Sequence, residues 1–337
     1  MRAVLKDAKF ATGLVLRKPF SVLVQVTNRC NMMCSFCDFW PNVAPKKEEL
    51  TAADFRRVAD ELAELGTFAV SIEGGEPFAR PDLAEIVRAF GKKHIPMLFT
   101  NGWYVTRENA KELWDAGLVH ASVSIDYPDA ERHDAKRGVE GTSARAWRAL
   151  ELFRDTAPNG GRQVNVMTVL MDDNHRDFGA LLAKSAAAGV GHQITLISVN
   201  GFRRGKGPDK LPPASFADDL ERLFAAYPHM RFFSSYFDGM RAFLGGDGKL
   251  PTCDAGAQGF NIDHVGNVAA CIERIGEPVG NVKTDNMKRL FRKLEATRPV
   301  VATCQQCWTA CRGFQQALGG GASRKAFTEL ATRMRPA

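Results

Sequence analysis

The sequence predicts an α/β fold with a mostly parallel sheet. Short apolar, β-branched runs recur along the chain, and an amphipathic segment follows each of them. Motifs that contain cysteines, glycines or carboxylates come directly after several of these runs. Strands that alternate with helices of this length imply right-handed crossovers between parallel neighbours. We count six such β-α units.

The individual elements follow from apolar patterning and end signals. Strands are predicted at 21–27, 68–72, 96–100, 120–125, 164–170 and 193–199. Helices are predicted at 52–65, 83–90, 107–116, 143–155 and 176–188. The first of these helices has Thr51 as its expected N-cap and Gly66 as its expected stop, as is usual at helix ends.

Composition narrows the class of protein. Of 337 residues, 45% are apolar and 25% charged, which is ordinary for a globular protein. No run of about 18 apolar residues and no signal peptide is evident, so we expect a cytoplasmic protein without membrane contact. There, clustered cysteines bind metal more often than they form disulfides. The net charge of +7 suits an anionic partner or a scatter of solvated Lys and Arg, and no nucleic-acid-binding motif accompanies it.

Three cysteines form the most informative motif. Cys30, Cys34 and Cys37 make a C-x3-C-x2-C triplet directly after the first predicted strand. Three thiolates can hold a [4Fe–4S] cluster and leave one iron open to another ligand, because four would complete its coordination. The alternatives are a zinc site or three buried thiols. Structural zinc usually takes four ligands in spaced pairs, and core packing does not call for three thiols in eight residues.

The triplet resembles the signature of the radical S-adenosylmethionine (SAM) superfamily. The resemblance implies that SAM chelates the open iron, and that reduction of the cluster cleaves SAM to a radical that abstracts hydrogen from a substrate. It also implies that the six units form a partial (β/α)6 TIM-like barrel, whose chemistry collects at the carboxyl ends of the strands.

Further segments resemble the SAM-binding motifs of that family. Glu73-Gly74-Gly75-Glu76-Pro77 is similar to its GGEP motif, which binds the SAM amino group, and the segment from Ser124 to Gly138 is similar to its SIDGP…HD…RG stretch. Taken singly, such polar residues are usually turn or cap residues. The resemblance implies the following cofactor-binding residues: Phe36, Gly74, Gly75, Glu76, Pro77, Asn101, Ser124 and Thr168.

The remaining five cysteines all lie beyond residue 250. They follow the pattern Cys253-x12-Gly266-x4-Cys271 and then Cys304-x2-Cys307-x3-Cys311. Alternating residues on both sides of Gly266 predict a β-hairpin that would bring the first two cysteines together.

This region resembles the SPASM/twitch extension of radical SAM enzymes, a small domain of a β-hairpin plus a helix. A full SPASM domain has seven cysteines and two clusters, so five cysteines favour the shorter twitch form with one auxiliary [4Fe–4S] cluster. The first four match the twitch pattern, and Cys311 is either the spare thiol or a replacement for Cys304 or Cys307. A zinc ribbon is the structural alternative.

The sequence does not identify a single proton acceptor for the reaction. In sulfatase-maturing relatives an Asp follows the second cysteine of this pattern and serves as the base. Here Ile272 follows Cys271, and Glu273 comes next. Glu273 and Asp126 are therefore the candidate catalytic carboxylates, because a base must reach the proton that it removes.

The combined motifs predict a radical SAM oxidoreductase that modifies a small molecule oxidatively, with a flavodoxin- or ferredoxin-type electron donor. About 20 residues precede the first strand, which favours a small molecule over a peptide that needs a leader-binding domain. Peptide modification remains an alternative. A basic amphipathic stretch at 2–18 suggests a lipid or isoprenoid substrate, or a helix that caps the barrel. An electron-transfer module is the non-enzymatic alternative.

We expect five regions along the chain. They are an N-terminal helix (1–19), the barrel (20–212), a helical linker (213–250), the auxiliary domain (251–315) and a C-terminal helix (316–337). The Gly-rich segment 200–210, with four positive charges, joins barrel and linker. It is either an anion-binding loop for an anionic substrate or a plain solvated linker.

Overall fold

The computed structural model describes residues 2–158, 163–201, 207–246, 249–319 and 324–332. Within these ranges the strands are β1 (Ser21–Thr27), β2 (Ala69–Gly74), β3 (Ile95–Thr100), β4 (His120–Ser124), β5 (Gln163–Leu170), β6 (Gly191–Leu196), β7 (Gly259–Ile262), β8 (Asn267–Ala269) and β9 (Gly280–Asn281). The first seven helices are α1 (Arg2–Val15), α2 (Ala52–Leu65), α3 (Leu83–Gly91), α4 (Arg107–Asp115), α5 (Ala130–Arg137), α6 (Thr142–Thr156) and α7 (Phe178–Ala187). The later ones are α8 (Phe216–Ala226), α9 (Ser235–Gly245), α10 (Met287–Ala296), α11 (Arg298–Val301), α12 (Ala310–Gly319) and α13 (Arg324–Thr332).

The first six strands form a parallel sheet in sequence order. Each of β1 to β5 pairs in parallel with the next strand. All six predicted strands are present, and the predicted α/β class is confirmed. The sixth strand ends at Leu196, three residues earlier than predicted, where the chain turns toward the basic segment.

Strand β1 explains how the barrel wall is built. All seven of its residues are buried, which is the pattern of a strand covered on both faces. Val22, Val24 and Val26 belong to the main apolar core, which also contains residues of α2. Helix α2 begins with the predicted cap. Thr51 Oγ1 accepts a hydrogen bond from Asp54 N, and the Asp54 carboxylate accepts one from Thr51 N.

The predicted hairpin is confirmed and extends the same sheet. Strand β7 pairs in parallel with β1, and β8 pairs antiparallel with β7. Gly266 has a φ of 98° in the turn, a conformation that favours glycine. Asp263 Oδ1 accepts hydrogen bonds from Val265 N and Asn267 N, which closes the turn. The C-terminal cysteine region is therefore attached directly to the first barrel strand.

The N-terminal helix packs against the rest of the protein. Phe10 and Leu14 are buried in an apolar cluster with Phe20 and Leu318, and Lys6 Nζ donates to Gly91 O at 2.8 Å. Phe10 and Leu14 thus anchor α1 to the body of the protein, whereas Val15 at its end is exposed. In the described ranges, every helix is too short or too polar to cross a bilayer.

Candidate active site and auxiliary cysteine site

The three N-terminal cysteines lie on a loop fixed against α5. Met33 N donates to Arg137 O at 3.2 Å, and Ser35 N donates to Lys136 O at 3.2 Å. Gly138 ends α5 with a φ of 73°, and a side chain there would come within 3.0 Å of Met33 O. The last turn of α5 and its terminal glycine therefore position the cysteine loop at the carboxyl end of β1.

These cysteines border a cavity of about 210 Å³ at the centre of the barrel. The structure brings several sequence-predicted residues to its wall together with Cys30, Cys34 and Cys37: Phe36, Gly74, Gly75, Asn101 and Ser124. A Cβ atom on Gly74 would lie 2.1 Å from Thr27 O, and one on Gly75 would lie 2.3 Å from Arg29 O. Only glycine allows this close approach of the two backbones.

The three thiols of this loop are the donor set that a metal cluster would use at the barrel cavity. Burial raises the pKa of Cys30 to about 12, so the isolated thiol is neutral at physiological pH. A bound metal deprotonates coordinating thiols outright. Asn101 Nδ2 lies 3.8 Å from Cys30 Sγ and donates to Asn31 Oδ1 at 2.9 Å. The donor set is therefore three clustered thiols with an amide beside them.

Glu76 supports the site from behind the cavity wall. Its fully buried carboxylate accepts hydrogen bonds from Thr100 Oγ1 at 2.7 Å, Asn101 N at 2.7 Å and Phe78 N at 3.0 Å. Burial raises the pKa of Glu76, and these donors oppose that shift. Pro77 is buried beside it at the start of a short helix. Glu76 thus holds the loop that carries Asn101, and the cavity wall is formed by Gly74 and Gly75.

The hydroxyl of Thr168, a cofactor-binding residue by resemblance, is directed toward Ile125 and His192. Its buried hydroxyl donates to Ile125 O at 2.6 Å and contacts His192 Nε2 at 2.9 Å. Its neighbours Met167 and Val169 line the cavity instead. Successive strand residues point to opposite faces, so Thr168 belongs to the face turned away from the cavity.

Asp126 is engaged in a buried ion pair. Arg137 donates to Asp126 Oδ2 from Nη2 at 2.6 Å and from Nε at 3.0 Å, and Val169 N donates to Oδ1 at 2.9 Å. Arg137 borders the cavity, lies 5.4 Å from the centre of the Phe36 ring, and interacts electrostatically with Cys34 and Cys37. The positive charge beside the thiols is therefore balanced by a carboxylate.

Glu73 is a cavity residue that sequence reasoning missed. It is half-buried on β2 and lines the barrel cavity, as does Ser71 two residues before it. The period-two alternation of β2 with these two polar residues was the signal that could have identified it.

All five C-terminal cysteines border a second cavity, of about 50 Å³. Burial raises the pKa of Cys307 to about 12, and it also raises the pKa values of Cys253 and Cys271. In the described part of the chain, no three Cys, His, Asp or Glu side chains meet closely enough to bind one metal ion. A four-iron cluster would take one thiol on each iron, whereas one zinc ion would need four sulfurs at about 2.3 Å from it.

The two cavities share a wall, because Leu23 and Cys311 border both of them. Ile272 is buried in this wall with Leu23 and Phe39. Glu273 borders the second cavity and accepts a hydrogen bond from Ser198 Oγ at 2.5 Å. Within the basic segment at 200–210, residues 202–206 lie outside the described ranges, so its predicted role as an anion-binding loop stays a prediction.

Comparisons with known proteins agree with this arrangement. Residues 24–184 match the family model described as "Radical SAM superfamily". The chain is 30% identical over 333 residues to the mycofactocin maturase MftC of Mycolicibacterium smegmatis, which spans 94% of this chain and 81% of MftC. It is 27% identical to an AdoMet-dependent heme synthase of Oleidesulfovibrio alaskensis, over 81% of this chain and 74% of that enzyme.

A solved structure shows the same fold. The structure of anSMEcpe with bound AdoMet and the Kp18Cys peptide aligns with a TM-score of 0.63 at 21% identity. The alignment covers 94% of this chain and 98% of anSMEcpe. The cysteine loop after β1, the six-unit parallel barrel and the match to MftC together establish the family. This chain belongs to the radical SAM superfamily.

Proposed function

We propose that this radical SAM enzyme uses two [4Fe–4S] clusters to carry out an oxidative modification. Cys30, Cys34 and Cys37 would hold the SAM-binding cluster, and four of the five C-terminal cysteines would hold an auxiliary cluster. The observation that carries this proposal is that all five C-terminal cysteines border one cavity, which shares a wall with the barrel cavity.

Several cavity residues would form the SAM-binding site, each with a different role. A reduced cluster held by Cys30, Cys34 and Cys37 would supply the electron that cleaves SAM. The Gly74-Gly75 backbone and the side chains of Asn101 and Ser124 border the space where SAM would bind. Glu76 holds the Asn101 loop, and the apolar residues Phe36 and Val169 limit the access of water. A dry site protects a reactive radical from side reactions.

The auxiliary ligands are assigned to Cys253, Cys271, Cys304 and Cys307. The thiol of Cys253 interacts electrostatically with that of Cys304, and the thiol of Cys271 with that of Cys307. Cys311 borders both cavities, and we assign it as the spare thiol. Four protein thiolates complete the coordination of a cube, which suits electron transfer rather than direct substrate binding.

An oxidative modification also needs a proton acceptor. Glu273 is on the auxiliary cavity, and Asp126 would have to give up its ion pair with Arg137. Glu73 is the carboxylate on the barrel cavity among the described residues. We therefore add Glu73 to Glu273 and Asp126 as a candidate for this role.

The substrate class that we propose is a peptide. MftC is a maturase, and anSMEcpe, a protein with this fold, holds a peptide together with AdoMet. The heme synthase relative supports a second candidate, a non-peptide small molecule. A flavodoxin- or ferredoxin-type protein would supply electrons, in keeping with the cytoplasmic location expected from the cysteine content.

The test is an anaerobic assay of the iron-loaded protein with SAM and dithionite. We expect 5′-deoxyadenosine and methionine to form in equal amounts. Adding a deuterated short peptide encoded beside the gene should transfer deuterium into 5′-deoxyadenosine, and mass spectrometry should find a peptide that has lost two hydrogens. No deuterium transfer from such peptides, with transfer from a small metabolite of the same gene cluster, would support the second candidate.

A further inference from the structure

Arg312 is a buried cation at the auxiliary cysteine site. It follows Cys311 on α12, borders the auxiliary cavity and is 3% exposed. Its Nη1 donates to Cys307 O at 3.1 Å, its Nη2 donates to Pro251 O at 2.5 Å, and its guanidinium lies 5.6 Å from the centre of the Trp308 ring. These contacts fix the position of the positive charge.

The carboxylates of the described residues do not balance the charge of Arg312. No carboxylate forms an ion pair with Arg312 in the described part of the chain, and its buried Nε has no hydrogen-bond partner. Glu273 borders the same cavity, but its Oε1 accepts from Ser198 Oγ. Burying an unpaired charge is strongly unfavourable, even after the surrounding protein relaxes. The side chain therefore indicates that an anion belongs in this cavity.

The cysteines of the cavity identify the class of anion. Thiolates are the form in which cysteine binds iron, and four of them around a cluster leave a net negative charge on the assembly. We propose that Arg312 is the counter-cation of the auxiliary iron–sulfur cluster and raises its reduction potential, so that the cluster accepts an electron. This inference rests on the proposed auxiliary cluster and adds the residue that tunes it.

The physical reason is the charge that changes on reduction. A one-electron reduction adds one negative charge to the cluster, and a nearby cation stabilises the reduced state more than the oxidised state. Net charge, hydrogen bonds and solvent exposure are the factors that set the potential of such clusters. Arg312 is buried, so solvent screens its charge little. Arg312 would therefore adjust the reduction potential of the cluster without contacting the substrate.

Arg298 offers a matched control. It also donates to a carbonyl beside an auxiliary cysteine, with its Nη1 3.1 Å from Cys253 O. However, it forms an ion pair with Asp254 at 3.4 Å, and its side chain is 31% exposed. The two arginines thus make similar backbone contacts, and they differ in burial and in the presence of a carboxylate.

The experiment measures the potential of the auxiliary cluster alone. The full chain with Cys30, Cys34 and Cys37 changed to Ala is loaded with iron and sulfide, and a redox titration is followed by EPR. Arg312→Gln should lower the equilibrium constant for one-electron reduction at least tenfold, a shift of about 59 mV to lower potential. Arg312→Lys and Arg298→Gln should stay within about threefold of the parent, about 28 mV.

Each outcome decides the proposal. A potential that does not change in Arg312→Gln, at full iron content, overturns it. Loss of iron in Arg312→Gln but not in Arg312→Lys supports it, because the charge is then needed for assembly. Loss in both variants assigns Arg312 to holding Cys307 and Pro251 and overturns the tuning role. A parent protein that binds no second cluster refutes the auxiliary site itself, which is a separate failure visible before any arginine is changed.

Discussion

The two cysteine sites each have a buried arginine beside an aromatic ring, and they differ in what balances its charge. Arg137, near Cys34 and Cys37, is paired with the buried Asp126. Arg312, near Cys307, has no carboxylate partner among the described residues. A cluster that must donate an electron needs a lower potential than one that must accept it. If both proposed clusters form, the carboxylate beside Arg137 is the feature that distinguishes their electrostatic surroundings.

The largest effect should come from removing the first site. Changing Cys30, Cys34 and Cys37 together to Ala should reduce 5′-deoxyadenosine formation to the level of a protein-free control. Iron content should fall from about eight to about four per chain, since each four-iron cluster has its own ligands. Iron analysis and chromatography measure both. The Cys253→Ala/Cys271→Ala variant is the control: it should lose the other half of the iron and still cleave SAM.

The Arg137–Asp126 pair should be important for stability. Arg137→Gln leaves the Asp126 carboxylate buried with less compensation, and breaking such a pair costs roughly 3–5 kcal/mol. Urea denaturation of the iron-free protein measures this loss. Adding Asp126→Asn should recover part of it, because the double variant contains no unpaired charge. If the losses of the two single variants simply add, the ion pair does not contribute in the way we describe.

Two substitutions distinguish the strand face that borders the barrel cavity from the face turned away from it. Thr168→Val leaves Ile125 O and His192 without their hydrogen-bond partner and should destabilise the fold by about 1–3 kcal/mol. Calorimetric SAM affinity should stay within about twofold, because Thr168 is not on the cavity wall. Ser124→Ala should do the opposite, with weaker SAM binding and little loss of stability. Weaker SAM binding in Thr168→Val would return that residue to the SAM site.

The smallest effect is expected at the shared wall. Cys311→Ser should keep about eight irons and an unchanged auxiliary EPR spectrum, because four other thiols complete that cluster. Cys304→Ser is the matched change at an assigned ligand and should lose the auxiliary iron or alter its spectrum. If the two variants behave the other way round, Cys311 is the ligand and Cys304 is the spare.

Much of the fold could be predicted from local signals. The six strands, the Thr51 cap and the hairpin around Gly266 each leave a pattern within a few residues of sequence. Helix α5 was not predicted, because its charged sequence AERHDAKR carries no apolar stripe. Its ends are instead fixed by Asp129, which accepts from Arg132 N at 2.9 Å, and by the left-handed Gly138. The parallel pairing of β7 with β1 joins distant parts of the chain and has no local signal.

In the candidate site, too, some residues have a local sequence signal and others do not. The cysteines and Gly74-Gly75 could be assigned because their spacing is itself the signal. Thr168 was named through the family resemblance alone, and which face of β5 its hydroxyl occupies becomes visible only in the structure, where it donates to Ile125 O. That no described carboxylate pairs with Arg312 could not be predicted, because pairing of a charge depends on which carboxylates folding brings near it.

The central claim is that the chain holds two clusters with different electrostatic surroundings. An EPR-monitored redox titration of the iron-loaded wild-type protein, with and without SAM, tests it most directly. We predict two one-electron transitions, of which the higher disappears in Cys253→Ala/Cys271→Ala and only the lower responds to SAM. A single transition at about four irons per chain, or a higher transition that belongs to Cys30, Cys34 and Cys37, would contradict this account.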